Sequence, residues 1–231
     1  MSRRDELGAN LEAVEERIAR ACADAGRARG DVVLIVVTKT YPSSDVDLLV
    51  ELGVRDVGEN RHPEAGRKLA ELAGPPPRLH FIGGLQTNKA TAVAGYADVV
   101  QSVDRLKLVD ALARGAQAAG REVGCLVQVD FGDSGLGRSG VAPADVPRLA
   151  DAIATADGLR LDGVMTVAPL GVDPRPSFEE LVRISDNLRR SHPAATIISA
   201  GMSDDFEQAV ESGATHLRVG RSILGERVPL R

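Results

Sequence analysis

The residues best suited to chemistry stand where apolar runs end. "DVVLIVVTKTYPSSD" (31–45) carries a continuous apolar run that finishes on Thr38 and Lys39, and Pro42 stops any continuation. Of 28 basic residues, only Lys39, Lys68, Lys89 and Lys107 are lysines. A lysine can do what arginine cannot. Once burial or a neighbouring cation lowers its pKa, the neutral amine attacks a carbonyl and forms a Schiff base. The plain alternative is a strand-end lysine whose ammonium snorkels to water.

Two later stretches suit an anion. In "SAGMSDD" (199–205), Gly201 permits close backbone approach and Ser203 is a good N-cap for a helix over 204–212; in "RVGRS" (218–222), Gly220 repeats the arrangement. Helix N-termini present free amides and a positive dipole end, which bind phosphate. Taken alone, the same residues are ordinary turn and cap chemistry.

Other candidates carry less. His62, His80, His192 and His216 show no metal-ligand spacing, and Cys22 and Cys125 form no CxxC or Cys/His cluster, so no metal site is expected. Both cysteines read as reduced core thiols of a cytoplasmic protein. Asp130, followed by Asp133 and Arg138, either edges a polar site or belongs to a solvated glycine-rich loop. A net charge of −5 with 3% aromatic residues argues against a nucleic-acid partner. No apolar window suits a membrane span, and the charged N-terminus has no signal-peptide core.

The elements that must position these residues follow from hydrophobic patterning. Apolar groups at Leu7, Leu11, Val14, Ile18 and Cys22 mark an amphipathic helix closed by Gly26. Buried strands are expected at Val32–Val37, Val54–Val57, Leu79–Ile82, Asp98–Gln101, Cys125–Val129, Leu161–Thr166, Thr196–Ser199 and His216–Val219. Helical patterns fill the gaps at 44–52, 61–73, 86–94, 104–119, 143–156, 177–190 and 204–212. Alternation of this kind means βαβ units and a parallel sheet. Eight units in one domain, 1–231, favour a closed (β/α)8 TIM-type barrel over an open doubly wound sheet, because no GxGxxG follows the first strand. Closure makes strand eight the neighbour of strand one. Lys39, Asn60, Arg218 and both glycine-bearing loops then converge on one mouth. A phosphate-bearing aldehyde would use all of them, with Arg218 facing a ring nitrogen, and that describes pyridoxal 5′-phosphate.

Seven segments in order also resemble the pyridoxal-phosphate homeostasis protein family, single-domain relatives of the alanine racemase N-terminal barrel. They are "VTKTYP" (37–42), "GENR" (58–61), "HFIGGLQTNK" (80–89), "SVDR" (102–105), "GVMTV" (163–167), "GMSDDFEQAVESGATHLRVG" (201–220) and "ILGER" (223–227). The resemblance implies that Lys39 carries pyridoxal 5′-phosphate as an internal aldimine and that Asn60 lies beside it. It implies that Met202, Ser203, Gly220 and Arg221 hold the phosphate and that Arg218 faces the pyridine nitrogen. It further implies a protein that buffers the cofactor or delivers it to apo pyridoxal-phosphate enzymes, without robust turnover; the lack of a signal peptide points to the cytoplasm, and the lack of the racemases' further domain to a monomer.

Some positions depart from the family pattern. "VDFGDSGLGRSG" (129–140) has Asp130 and Arg138 where Asn and Lys are usual, so no accessory aldehyde role transfers to residue 138. Its "VDxG…RxG" is nearer to the racemases, which keeps an amino-acid racemase as the runner-up. Racemisation needs a second base, a tyrosine from a further domain in those enzymes, and the tyrosines here are Tyr41 and Tyr96. A Schiff-base aldolase acting on sugar phosphates is the third reading.

Overall fold

The computed structural model describes residues 1–132, 139–169 and 171–225. Each expected apolar run becomes a strand. After helix α1 (Arg3–Asp24) come β1 (Val33–Val37), α2 (Ser43–Glu51), β2 (Asp56–Glu59), α3 (Glu64–Ala70), β3 (Arg78–Phe81) and α4 (Thr87–Ala94). The chain continues with β4 (Val99–Val103), α5 (Leu106–Ala118), β5 (Val123–Val129), α6 (Val146–Ala154), β6 (Leu159–Thr166) and α7 (Arg175–Ser191). It closes with β7 (Ile197–Ser199), α8 (Phe206–Ser212), β8 (His216–Val219) and a single turn, α9 (Arg221–Leu224). The strands pair in sequence order, all parallel, and β8 returns to β1, which makes a closed eight-stranded barrel.

Local chemistry moves some of the expected boundaries. Val54, expected in β2, instead ends α2: its N–H donates to the Leu49 carbonyl beyond the left-handed Gly53. Helix α8 starts at Phe206 because Asp205, not Ser203, is its N-cap residue. The Asp205 carboxylate accepts the Met202 N–H at 2.6 Å and turns residues 202–205 into a compact loop.

Side chains alternate across the barrel wall. One phase, with Val36, Val57, Phe81, Val100, Ile198, Leu217 and their neighbours, packs against the helices in the main hydrophobic core. The other phase faces the barrel interior, where Val99, Leu126, Met165 and Ile197 form a small separate cluster. His80, Gln101, Ser199 and Arg218 share that inward phase and are buried. Helix α1 braces the closing seam from outside. Arg3 pairs with Asp45 at 2.7 Å and donates to the Leu224 carbonyl, and Asn10 Nδ2 donates to the Ile223 carbonyl. Among the described residues, no helix is long and apolar enough to cross a membrane.

Candidate functional site

The seam between β1 and β8 assembles the candidate site. Ile35 registers with Arg218 and Val36 with Val219 across parallel strands. Lys39 follows two residues after the end of β1, at the carboxyl ends of the strands, the usual place of barrel chemistry. It lies half-buried in a tight turn whose next residue, Thr40, has φ 71°. Gly220 presses against the same strand end. A Cβ there would fall 2.9 Å from the Val37 carbonyl oxygen, so the backbone approach requires glycine.

The loop after β7 lies beside β8, since the Arg218 N–H donates to the Gly201 carbonyl at 3.0 Å. Gly201 has φ 88°, and a Cβ on it would stand 2.7 Å from Ala209 Cβ in α8. The loop can therefore fold back on its helix only with glycine at this position. Ser203 sits half-buried in it, while the Met202 amide is already occupied by Asp205. Burial pushes the Asp205 carboxyl above the usual carboxylate range, against the opposing pull of the Met202 amide and the Arg218 charge. Arg221 is exposed and pairs with the still more exposed Asp204, a contact of small energetic weight.

Arg218 is 4% exposed and donates to Ser199 Oγ at 2.6 Å and the Thr166 carbonyl at 2.7 Å. Burial lowers its pKa to about 10, which leaves it a cation at neutral pH. Asn60, just beyond β2, presents a buried Oδ1 without a hydrogen-bond partner among the described residues. The mouth thus combines a lysine, a buried guanidinium, an unsatisfied amide oxygen and two glycine-bearing loops.

The family model described as "Alanine racemase, N-terminal domain" matches residues 9–228. The pyridoxal phosphate homeostasis protein of Mycobacterium tuberculosis is 38% identical, over 97% of this chain and 94% of that protein. PipY of Synechococcus elongatus, solved with PLP bound, superposes with a TM-score of 0.79 at 32% identity, covering 92% of this chain and 100% of that one. The chain belongs to the pyridoxal phosphate homeostasis protein family. An alanine racemase of Clostridium difficile, 15% identical with a TM-score of 0.75 over 98% of this chain and 60% of that one, shares the fold.

The other sequence candidates make contacts of their own. His62 lies against Tyr96, its ring stacked 6.0 Å away and its Nδ1 3.1 Å from the hydroxyl. The Tyr96 ring also touches Gly66 on α3, which puts it outside the barrel wall, and burial raises its pKa to about 12. Tyr41 donates its hydroxyl to the Gly225 carbonyl at 2.7 Å. Asp130 accepts the Gly132 N–H at 2.9 Å and so shapes the neck of its loop. Asp133 and Arg138 lie outside the described residues. Among the described residues no group of three His, Cys, Asp or Glu side chains could hold a metal ion.

A clamp behind Lys39 escaped the sequence reading. Lys68 Nζ, buried on α3, donates to the Thr38 carbonyl at 2.8 Å and contacts Glu59 Oε1 at 2.5 Å. The Thr38 hydroxyl donates to that same oxygen at 2.7 Å. Thr38, Glu59 and Lys68 are all buried on the outer phase of the wall. The scarcity of lysine was the available signal. It singles out Lys68 as much as Lys39, yet the spacing places Lys68 on a helix, away from any strand end.

Proposed function

We propose that this protein binds pyridoxal 5′-phosphate in the cytoplasm, holding it covalently but reversibly, and serves intracellular cofactor homeostasis by buffering or delivery rather than by robust turnover. The naming of its relatives and the PLP-bound PipY structure support the cofactor. The observation that carries the reading is the seam, where Lys39 stands two residues past the end of β1, the strand paired with β8 that carries the buried Arg218, and Gly220 packs on Val37. The group supplies an aldehyde, which a lysine amine captures as an imine with loss of water.

The residues of the mouth fit that group. Lys39 is the covalent partner, as a lysine aldimine. Arg218 faces the ring nitrogen as a hydrogen-bond donor, and a guanidinium does not surrender a proton to it. Ser203, Gly220 and Arg221 hold the phosphate, with Met202 shaping the loop through its contact with Asp205. Asn60, with its unsatisfied buried oxygen, gains a partner when the site fills.

The racemase reading rests on the shared barrel, and neither Tyr41 nor Tyr96 offers the second base it needs. Tyr41 is committed to Gly225, and Tyr96 is packed against α3. The protein acts as a monomer on this reading, with apo pyridoxal-phosphate enzymes as recipients. The test is the near-visible absorbance of wild type beside Lys39→Ala with added pyridoxal phosphate. A band present in wild type, absent in the variant and bleached by borohydride is the expected result. No band in either protein at saturating cofactor would remove the assignment. Incubation of the loaded protein with L-alanine, followed by chiral analysis, separates carrier from racemase.

A further inference from the structure

A barrel interior is ordinarily filled by branched apolar side chains. Here Ile35, Val99, Leu126, Met165 and Ile197 do so only in part. A single chain of hydrogen bonds crosses the remainder. Arg218 Nη1 donates to Ser199 Oγ at 2.6 Å, and the Ser199 hydroxyl donates to Gln101 Oε1 at 2.8 Å. Gln101 Nε2 meets His80 Nδ1 at 3.0 Å, and His80 Nε2 meets Asp56 Oδ1 at 2.9 Å. Asp56 opens β2 at the amino-terminal end of the barrel, opposite the mouth.

The two ends, with the Gln101 amide oxygen facing Ser199 and its nitrogen facing His80, fix the direction of every link. A guanidinium only donates, so Ser199 Oγ must accept, and its one hydrogen goes to Gln101 Oε1. The Gln101 amide nitrogen then faces His80 and donates, which requires Nδ1 to be unprotonated. The ring hydrogen therefore sits on Nε2 and goes to Asp56, a carboxylate that only accepts. All the dipoles align from a cation to an anion, an arrangement in which neighbouring bonds strengthen one another. Among the described residues no carboxylate is hydrogen-bonded to Arg218, and Asp205 acts on it only through its charge. Two of its five N–H groups are fixed by Ser199 and Thr166, which sets the plane in which the others are presented.

We propose that Ser199, Gln101, His80 and Asp56 are positioning residues acting through Arg218, orienting its guanidinium toward the mouth and balancing its charge from the far end of the barrel, so that they tune the ring nitrogen of bound pyridoxal phosphate. This rests on the proposed placement of that nitrogen against Arg218. None of the four touches the cofactor in this arrangement. A residue that served only barrel packing would act on any ligand of the same shape, whereas this relay acts only on one with a ring nitrogen.

Two measurements test it. In protein labelled with 15N-histidine and free of cofactor, at pH 8, His80 is expected as the neutral ring with hydrogen on Nε2. A hydrogen on Nδ1 would overturn the single polarity of the relay. The second measurement titrates wild type, Gln101→Leu and Asp56→Asn with pyridoxal phosphate and with its 1-deaza analogue, in which carbon replaces the ring nitrogen. Gln101→Leu is expected to weaken the phosphate aldehyde about tenfold or more while shifting the deaza analogue by less than about twofold. Asp56→Asn, which can still accept from His80 through Oδ1, gives a smaller loss of the same pattern. Equal losses for both ligands, or none, refute the relay. If Gln101→Leu does not fold, Ser199→Ala cuts the same chain with a smaller change of volume. A wild type that forms an imine with neither ligand removes the functional reading first and the relay with it. Binding of both ligands without the differential pattern removes only the relay.

Discussion

The Lys68 ammonium stands 2.8 Å from the carbonyl oxygen of Thr38, the peptide group that precedes Lys39. Glu59 ties the two together, since one of its oxygens takes both the Lys68 ammonium and the Thr38 hydroxyl. A lysine outside the barrel wall therefore fixes the backbone from which Lys39 departs. Two of the chain's few lysines thus meet at one strand end.

Removing Lys68 is costly for that reason. Lys68→Met leaves the Glu59 carboxylate buried without its cation, and breaking a buried pair in this way costs about 3–5 kcal/mol. Urea unfolding of the cofactor-free protein measures it. Adding Glu59→Gln removes the stranded charge and is expected to recover a large part of the loss. A single variant within about 1 kcal/mol of wild type would show that the pair does not carry this weight.

Gly201→Ala tests the loop after β7. The new methyl group meets Ala209 Cβ at 2.7 Å on a backbone of φ 88°, so it adds overlap to strain. The combined cost is about 2–3 kcal/mol, and the loop must shift away from α8. Because the same loop carries Ser203, weaker pyridoxal phosphate binding is expected along with the lower urea midpoint. A variant with unchanged stability and affinity would mean that the loop tolerates displacement.

Acid sensitivity should centre on His216. Burial, with His80 and Arg78 adding to it and Asp56 opposing, pushes its pKa down to about 4 from 6.5. The unfolded chain therefore binds the proton first as the pH falls through that window. Stability drops between pH 6.5 and 4, by up to about 3 kcal/mol. Asp205, whose carboxyl burial pushes up, acts in the opposite sense by binding its proton more readily when folded. His216→Gln is expected to flatten the slope of unfolding free energy across this window, and an unchanged slope would assign it to other groups.

The fold was legible because each strand is a short run buried on both faces, and the βαβ alternation leaves few topologies open. The strand-end position of Lys39 was legible because an unusual residue type ended such a run. The clamp and the interior relay were not. Their members lie on separate strands and helices, and nothing in "RLHF" or "VVQSV" distinguishes an inward polar residue from an outward one until closure fixes the phase. Ser203 illustrates a different failure. Serine and aspartate both make good N-caps, so "MSDD" offers several starts, and the start at Phe206 goes with a loop closed by the Asp205 carboxylate on the Met202 amide.

Lys39→Arg separates the covalent role from charge. Arginine keeps a cation at the barrel mouth but forms no stable imine, so the near-visible band is expected to vanish. Reversible binding of pyridoxal phosphate through Arg218 and the late loops should persist, weaker than in wild type and no longer trapped by borohydride. Cofactor-free stability should change by less than about 0.5 kcal/mol, since a half-buried strand-end position tolerates the longer head group. Absorbance, equilibrium dialysis and urea unfolding read the three quantities independently. A borohydride-stable adduct in Lys39→Arg would place the imine on another lysine. Lys68 would then be the first to examine, because it is anchored to the same strand end.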